Sequence, residues 1–516
     1  MRRTVLLAVV TGVAAATLVA PPASAAPQPT AARKGTAGHC PDRNGVTVAV
    51  DYQELGGEPE VRCAPGEQAT GIDALENAGF VITGTDRWGK HFVCRINGKP
   101  GAETEPCVDT PPASAYWSYW HASNGGQWEY SNQGAGYYKP PLGSYEGWSF
   151  SKDKGIEDNP KPRVTPLRPG TPTIPPVEQT KPLPEKAAAV ASTRWLAGQL
   201  DADGGMPGFN GTDWGLTIDA LLAMKASRTQ PQQVKKTTAL LSKRVASYIT
   251  YDDWGQEGVR VAGATAKMLV AAQAGGANPR KFGGWDLRAT TLSLMARSGR
   301  DKGRFKDQGT QIDNSNTFGQ SFGVIGLARS GGVPAEAVDF LIRQQCKAGG
   351  FRLSPDQFGG GTPTAKCDDD PQAVLDPDST AMAVQALLTG KPSIKARLAA
   401  LKGAAWLAKI QRKDGSFGGS GPTEASNTNS TGLAGQALRA SGLVWQAAKA
   451  SDYVRRLQLT KRNAGEATDH LGAIAYNTDA LREAQLNGIP ENQLDQWRRA
   501  TPQAVLVATH TPLGKL

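Results

Sequence analysis

Histidine is scarce in this 516-residue chain, with five in all. A metal site built on imidazoles has few places to form. Neither Cys346 nor Cys367 has a histidine or further thiol close in sequence to complete a ligand set. After the first apolar run none is long enough to span a bilayer, and no cysteine follows that run to take a lipid. Lys and Arg outnumber Asp and Glu by 57 to 47, a net charge of +10, but they never condense into a dense basic stretch. Such a scattered basic surface argues against a nucleic-acid partner.

What is present begins with MRRTVLLAVVTGVAAATLVAPPASAAPQ, in which Arg2 and Arg3 precede the apolar run and Ala23-Ser24-Ala25 ends it. This predicts a signal peptide over residues 1–25, hence a secreted, extracellular protein with no integral membrane segment after cleavage. Six cysteines in an exported chain are expected to pair. Cys40, Cys63, Cys94 and Cys107 fall together and leave their pairing open, whereas Cys346 and Cys367 have only each other and are expected to clip the intervening loop.

Residues 154–186 are proline-dense and lack apolar periodicity, which reads as an extended spacer between halves of different grammar. Before it, residues 36–153 hold alternating runs at 46–52, 91–96 and 116–122, turn signals at Asn97-Gly98 and Asn124-Gly125, and one helix over 70–78. That half reads as a small α+β domain. After it, residues 187–516 follow a helical period in recurring units. DSTAMAVQAL from Asp378 returns as NSTGLAGQAL from Asn429, with relatives starting at Thr212 and Asn316. A second segment type precedes three of these: WLAGQLDADGG from Trp195, FLIRQQCKAGGF from Phe340 and WLAKIQRKDGSF from Trp406, with a weaker copy from Tyr453. Each places an aromatic residue and a glutamine on one helical face ahead of glycine. The unit is therefore helix, glycine-rich loop, small-residue helix, repeated about six times. Small residues suit closely packed inner helices and aromatics suit an outer layer.

The stretch KGAAWLAKIQRKDGSF, residues 402–417, resembles the glutamine-tryptophan repeat of squalene and terpenoid cyclases and of protein prenyltransferases. The resemblance implies an all-α, closed α/α toroid of about six helix pairs, in a multidomain chain. The chemistry of those families is not evident in the text. Asp368-Asp369-Asp370-Pro371 is the nearest approach to the cyclase D-x-D-D pattern and lacks its last acid. Gln372 stands where D-D-x-x-D needs a metal-binding carboxylate, and the zinc set of prenyltransferases has no counterpart.

The N-terminal half, through TGIDALENAGFVITGT, INGKP, YWSYW, QGAGYY and EGWSF, resembles the small domain of transcobalamin and intrinsic factor, here preceding the helical half. That resemblance implies a carrier in which toroid mouth and small domain close on a corrinoid, with cobalamin as bound ligand and no required cofactor. The expected ligand-facing residues are Tyr116, Trp117, Trp120, Gln133 and Tyr137 on the small domain. The aromatic cluster itself is also compatible with core. Asp213, Asn316, Asp378 and Asn429, as caps of inner helices, would ring one mouth, with Gln320 a turn deeper. The expectation is thus a monomeric, non-enzymatic binding protein. The alternatives are a cyclase-like enzyme using an acid such as Asp376 or Asp378, and an extracellular glycan- or protein-binding scaffold.

Overall fold

The computed structural model describes residues 35–155, 158–171, 181–208, 211–355 and 364–516, so the expected signal peptide and parts of the proline-rich stretch and of the disulfide-clipped loop lie outside it. The chain forms two units. The first runs to His121 and includes Trp128–Val164; the second comprises Ala122–Gln127 and Thr165–Leu516.

In the first unit the strands are β1 (Thr36–Ala37), β2 (Gly45–Asp51) and β3 (Glu60–Pro65), then helix α1 (Gly71–Asn77), then β4 (Ile82–Thr85), β5 (Gly89–Ile96), β6 (Ala115–Ala122), β7 (Glu129–Tyr130) and β8 (Tyr145–Lys152). Six strands make one sheet in the order β1-β3-β2-β8-β6-β7, with β2 and β8 parallel, and β4 pairs with β5 separately. The turn at Asn97-Gly98 forms as expected: both residues have positive φ, and Ile96 and Lys99 exchange backbone hydrogen bonds of 3.0 Å. Helix α1 is capped by Thr70, whose hydroxyl accepts from the Asp73 amide at 3.0 Å. It lays Ile72, Leu75 and Ala78 against Val46, Val48, Val50, Trp117 and Phe150 on one sheet face.

The sheet's other face corrects the reading of the proline-rich stretch as spacer throughout. Residues 158–164 belong to the first unit and are tied to the sheet by side chains. Arg163 embraces the buried Asp51 carboxylate, Nη2 to Oδ1 at 2.7 Å and Nε to Oδ2 at 3.0 Å. The Asn159 amide donates to the Tyr116 hydroxyl at 2.6 Å, and Trp128 Nε1 donates to the Val164 carbonyl at 2.7 Å. Proline fixes an extended backbone whose carbonyls are free to accept, so such a strip can cover a sheet face without joining the ladder.

The second unit is helical: α2 (Glu185–Gln199), α3 (Trp214–Ala226), α4 (Pro231–Lys243), α5 (Val245–Ile249), α6 (Ala262–Ala274), α7 (Leu287–Ser293), α8 (Thr317–Arg329), α9 (Ala335–Arg343), α10 (Pro377–Leu387), α11 (Ile394–Ile410), α12 (Thr428–Ala440), α13 (Val444–Arg456), α14 (Thr478–Asn487) and α15 (Leu494–Ala504). Helix α3 packs on α6, α6 on α8, α8 on α10, α10 on α12, α12 on α15, and α15 on α3, so the order of contacts returns to its start. Four of these, α3, α8, α10 and α12, carry the recurring small-residue segments. Every residue of α10 except Asp378 is buried, the signature of a helix surrounded by neighbours. Helices α9, α11 and α13 pack outside α8, α10 and α12.

The repeated glutamine has a defined task. Gln345 Nε2 donates to the carbonyl of Gly349 in its own loop at 2.8 Å and to that of Ala399 on α11 at 2.9 Å. Gln411 does the same with Gly415 at 3.0 Å and Gln446 on α13 at 2.9 Å. Gln458 reaches Ala188 on α2 at 2.9 Å and Gly472 at 3.2 Å. Each amide joins its own loop to the next outer helix, satisfying carbonyls that the loop and helix would otherwise bury unpaired. Trp406 lies so close over Gly350 that a Cβ there would stand 2.9 Å from its ring.

All six cysteines are paired, as Cys40–Cys63, Cys94–Cys107 and Cys346–Cys367, the last as expected. Among the described residues no helix is long and apolar enough to cross a membrane.

Candidate functional site

The duplicated triplets Asp378-Ser379-Thr380 and Asn429-Ser430-Thr431 sit at the N-terminal turns of α10 and α12, but their first residues are not the caps. Asp376 caps α10, its Oδ1 accepting from the Ser379 amide at 2.6 Å, and Asn427 caps α12, accepting from Ser430 at 2.8 Å. The repeated threonines carry the structural role. Thr380 accepts the Phe351 amide at 2.8 Å and Thr431 the Phe417 amide at 2.9 Å, which docks each glycine-rich loop on the helix that follows. Thr217 does this for Met206 at 2.9 Å, and Thr501 of α15 accepts the Ile474 amide at 3.0 Å, across the intervening α14.

Asp213 and Asn316 are caps as expected, accepting from Leu216 at 2.8 Å and Gly319 at 3.1 Å. Much of the expected circle of polar groups is paired within the unit, while Asp378 Oδ1 and Asn429 Oδ1 are buried without a partner. Asp213 Oδ2 is paired with Arg499 at 2.9 Å. Asn429 donates to Gln503 Oε1 at 2.9 Å and to the Arg499 carbonyl at 3.2 Å. Gln320 is buried and fully engaged: it accepts from Phe305 N at 2.9 Å and donates to the carbonyls of Gly303 and Ala337 at 2.9 and 3.0 Å. It ties the loop before α8 to helix α9.

Freed from capping, Asp378 is the chemically distinctive residue of this turn. Its Oδ1 is buried with no hydrogen-bond partner. Burial pushes its carboxyl up to about 7, the negative charge of Asp376 adds to the push, and a hydrogen bond with Ser430 of α12 only partly offsets them. Asp376 itself is anchored, Oδ2 accepting from the Ser420 hydroxyl at 2.7 Å. The loop carrying Ser420 passes close over the pair, since a Cβ on Gly419 would lie 3.1 Å from Asp378 Oδ2. Tyr476 faces the same carboxyl: burial raises its phenol, and the Asp378 charge raises it further. Two carboxyls stand at D-x-D spacing, Asp376 anchored by Ser420 and Asp378 pushed up to about 7, so that Asp378 can both hold and give up a proton near neutrality. The acidic run at Asp368–Asp370 is spent on structure: Asp368 accepts from the Lys347 amide at 2.8 Å and Asp370 lies 3.6 Å from the buried Arg352.

A second titratable group sits on inner helices α3 and α6. Lys267 Nζ lies 2.7 Å from Asp219 Oδ1 and donates to the Gly215 carbonyl at 3.0 Å. Burial alone would depress this lysine, but Asp219 and Tyr248 hold it above its ordinary range. The pair is internally neutralised.

In the first unit, Trp117 and Trp120 occupy opposite faces of β6 as the alternation requires, yet both are buried, at 5% exposure each. Trp117 packs edge-on against Tyr52 and Phe150, with centroids 5.7 and 5.5 Å away. Trp120 donates to Ser118 Oγ at 2.9 Å. Tyr116 is engaged by Asn159, leaving Gln133 and Tyr137 outward, with Tyr137 stacked on His91 at 5.9 Å. The expected ligand-facing aromatic wall is therefore mostly core. Beside it, the buried Glu146 receives the Tyr119 hydroxyl, and burial raises its carboxyl to about 8.

Sequence reasoning passed over the D-x-D spacing of Asp376 and Asp378 as a motif, although the text Asp376-Pro377-Asp378 carries it two residues before the repeat's threonine. It reads Asp378 chiefly as a cap at the mouth and names the two as possible acids only in the alternative of an enzyme.

Residues 111–169 match the model of the SCO2322-like domain. Over 187 residues the chain is 30% identical to drimenyl diphosphate synthase of Streptantibioticus cattleyicolor, a match covering 34% of this chain and about a third of that enzyme's length. Among solved structures, a protein from Actinoplanes is 18% identical, covering 61% of this chain and 99% of that one at a TM-score of 0.36. The GH76A α-1,6-mannanase of Salegentibacter sp. is 12% identical, covering 63% and 98% at 0.44. Candida albicans protein geranylgeranyltransferase-I is 11% identical, covering 56% and 85% at 0.36. The chain is thus similar over a limited stretch to a drimenyl diphosphate synthase and, at low identity, to proteins of several activities.

Proposed function

We propose that the helical unit is a closed α/α toroid that cyclises an isoprenoid by protonating a carbon–carbon double bond, with Asp378 as the proton donor. The observation that carries this reading is the Asp378 carboxyl, pushed up to about 7 with its Oδ1 buried and unpartnered, so that a substantial fraction carries a proton at neutral pH. The cyclic order of inner-helix contacts supports the toroid, and the partial likeness to a drimenyl diphosphate synthase supports the chemistry. The alkene π pair takes the Asp378 proton, forming a C–H bond and leaving a carbocation. The next double bond attacks that cation, and a proton is finally lost to water. The Asp378 carboxylate left behind accepts from Ser430 and lies in the first turn of α10, where the helix end stabilises negative charge. Tyr476 offers an aromatic ring beside the carboxyl, suited to a developing cation. Three disulfides favour an oxidising compartment, and we infer an exported protein.

Squalene, farnesyl diphosphate and geranylgeranyl diphosphate are the test substrates, with products read by gas chromatography–mass spectrometry. Asp378→Asn should lower product formation by at least about a hundredfold, while Asp368→Asn should leave it intact. Undiminished product from Asp378→Asn would sink the assignment.

A further inference from the structure

A pocket of about 700 Å³ opens away from Asp378, at the C-terminal ends of α3 and α6, where α4 and the segment before α7 face them. That volume is within the range of small-molecule sites. Val234 and Phe282 are among the apolar residues lining it. Four cationic side chains also line it: Lys225 from the last turn of α3, Arg228 just beyond, Lys235 from α4, and Lys281 before Phe282. No acidic residue lines the pocket, and among the described residues none of the four is paired with a carboxylate. Elsewhere in the unit Lys267, Arg304, Arg439 and Arg499 are each paired with Asp or Glu.

We propose that this pocket binds a single-chain amphiphile with an anionic phosphate or carboxylate head. The apolar lining would take the alkyl chain, each buried methylene contributing about 0.8 kcal/mol. The cations at its lining would take the head in charge-assisted hydrogen bonds, for which no carboxylate of the lining competes. Four like charges around one opening repel one another until an anion arrives, so binding relieves that repulsion and should be salt-sensitive. The site is independent of the Asp378 chemistry, and its ligand need not be the cyclisation substrate.

Calorimetric titration of the full-length protein with monomeric decyl phosphate and decanoate, below micelle formation, tests this directly. Both should bind, decyltrimethylammonium should not, and inorganic phosphate should bind at least tenfold more weakly. Lys225→Glu/Lys281→Glu should weaken decyl phosphate at least tenfold, and Ala239→Trp, at an exposed position of α4 on the rim, should do so by filling the pocket without reversing charge. Asp378→Asn should bind as the wild type does, which separates this pocket from the catalytic site. The proposal is overturned if the cationic amphiphile binds equally, or if both pocket variants, shown folded by circular dichroism, retain affinity. It is also overturned if the protein floats with phosphatidylglycerol vesicles but does not bind the monomeric probes, which would mark a membrane-surface patch.

Discussion

Replacing Asp378 by Asn should make the helical unit more stable at neutral pH while removing its chemistry. The carboxyl's pKa rises from 3.8 to about 7 on folding. The folded state therefore holds a proton that the unfolded chain has released. Stability is greatest below the unfolded value, declines as pH climbs from about 4 to about 7, and is flat above. Three units at about 1.4 kcal/mol each make the penalty about 4 kcal/mol at pH 8. The amide of Asn keeps the shape and carries no such term. Urea unfolding of the wild type and Asp378→Asn at pH 4 and pH 8, following the transition of the helical unit, reads the effect. The two proteins should nearly coincide at pH 4, and the variant should be more stable by up to about 4 kcal/mol at pH 8. Such a gain with loss of activity is the usual mark of a strained functional group. A difference that is the same at both pH values would refute the reasoning, since it would show that Asp378 ionises in the folded protein as it does in water.

In the first unit, Glu146→Gln should show the same sign: the wild type loses stability as pH climbs from about 4.5 to about 8, and the variant should not, as thermal melts at the two ends of that window would show. Asn427→Ala should cost about 1–2 kcal/mol through the lost α12 cap and its two loop hydrogen bonds, and Asn429→Ala less than that, in denaturant titrations. Trp117→Ala and Trp120→Ala should both lower the melting temperature, each costing about 3–5 kcal/mol, because both rings are core.

The helical architecture was legible because its punctuation is physical. Glutamine followed by glycine recurs because each amide must reach a loop carbonyl and a neighbouring helix, and that task fixes its spacing. The caps were read two residues late. In DPDST and NTNST the later acid or amide looks equally able to cap, but Pro377 and Thr428 occupy the first helical positions, which puts the cap at Asp376 and Asn427. That shift matters, since it releases Asp378 from capping and leaves it an enclosed acid. Gln320 read as a mouth residue because a polar side chain one turn into a helix says nothing of the loops that will close over it. The fate of Trp120 was hidden for another reason. Alternation places it on the second face of the sheet, but only the folded chain shows residues 158–164 covering that face, and proline-rich text carries no periodicity to announce it. Asp368–Asp370 resembles a cyclase acid motif by density alone, since Asp368 answers to the Lys347 amide and Asp370 to Arg352.

The central claim is that Asp378 delivers a solvent-exchangeable proton to an isoprenoid double bond. It is tested most directly by incubating the protein in deuterium oxide with squalene, farnesyl diphosphate and geranylgeranyl diphosphate, and locating deuterium in any cyclised product. The account predicts a product carrying one deuterium at the carbon where cyclisation begins, and none from Asp378→Asn. A cyclised product without deuterium at that carbon, or no product from any of the three with folded protein, would contradict it.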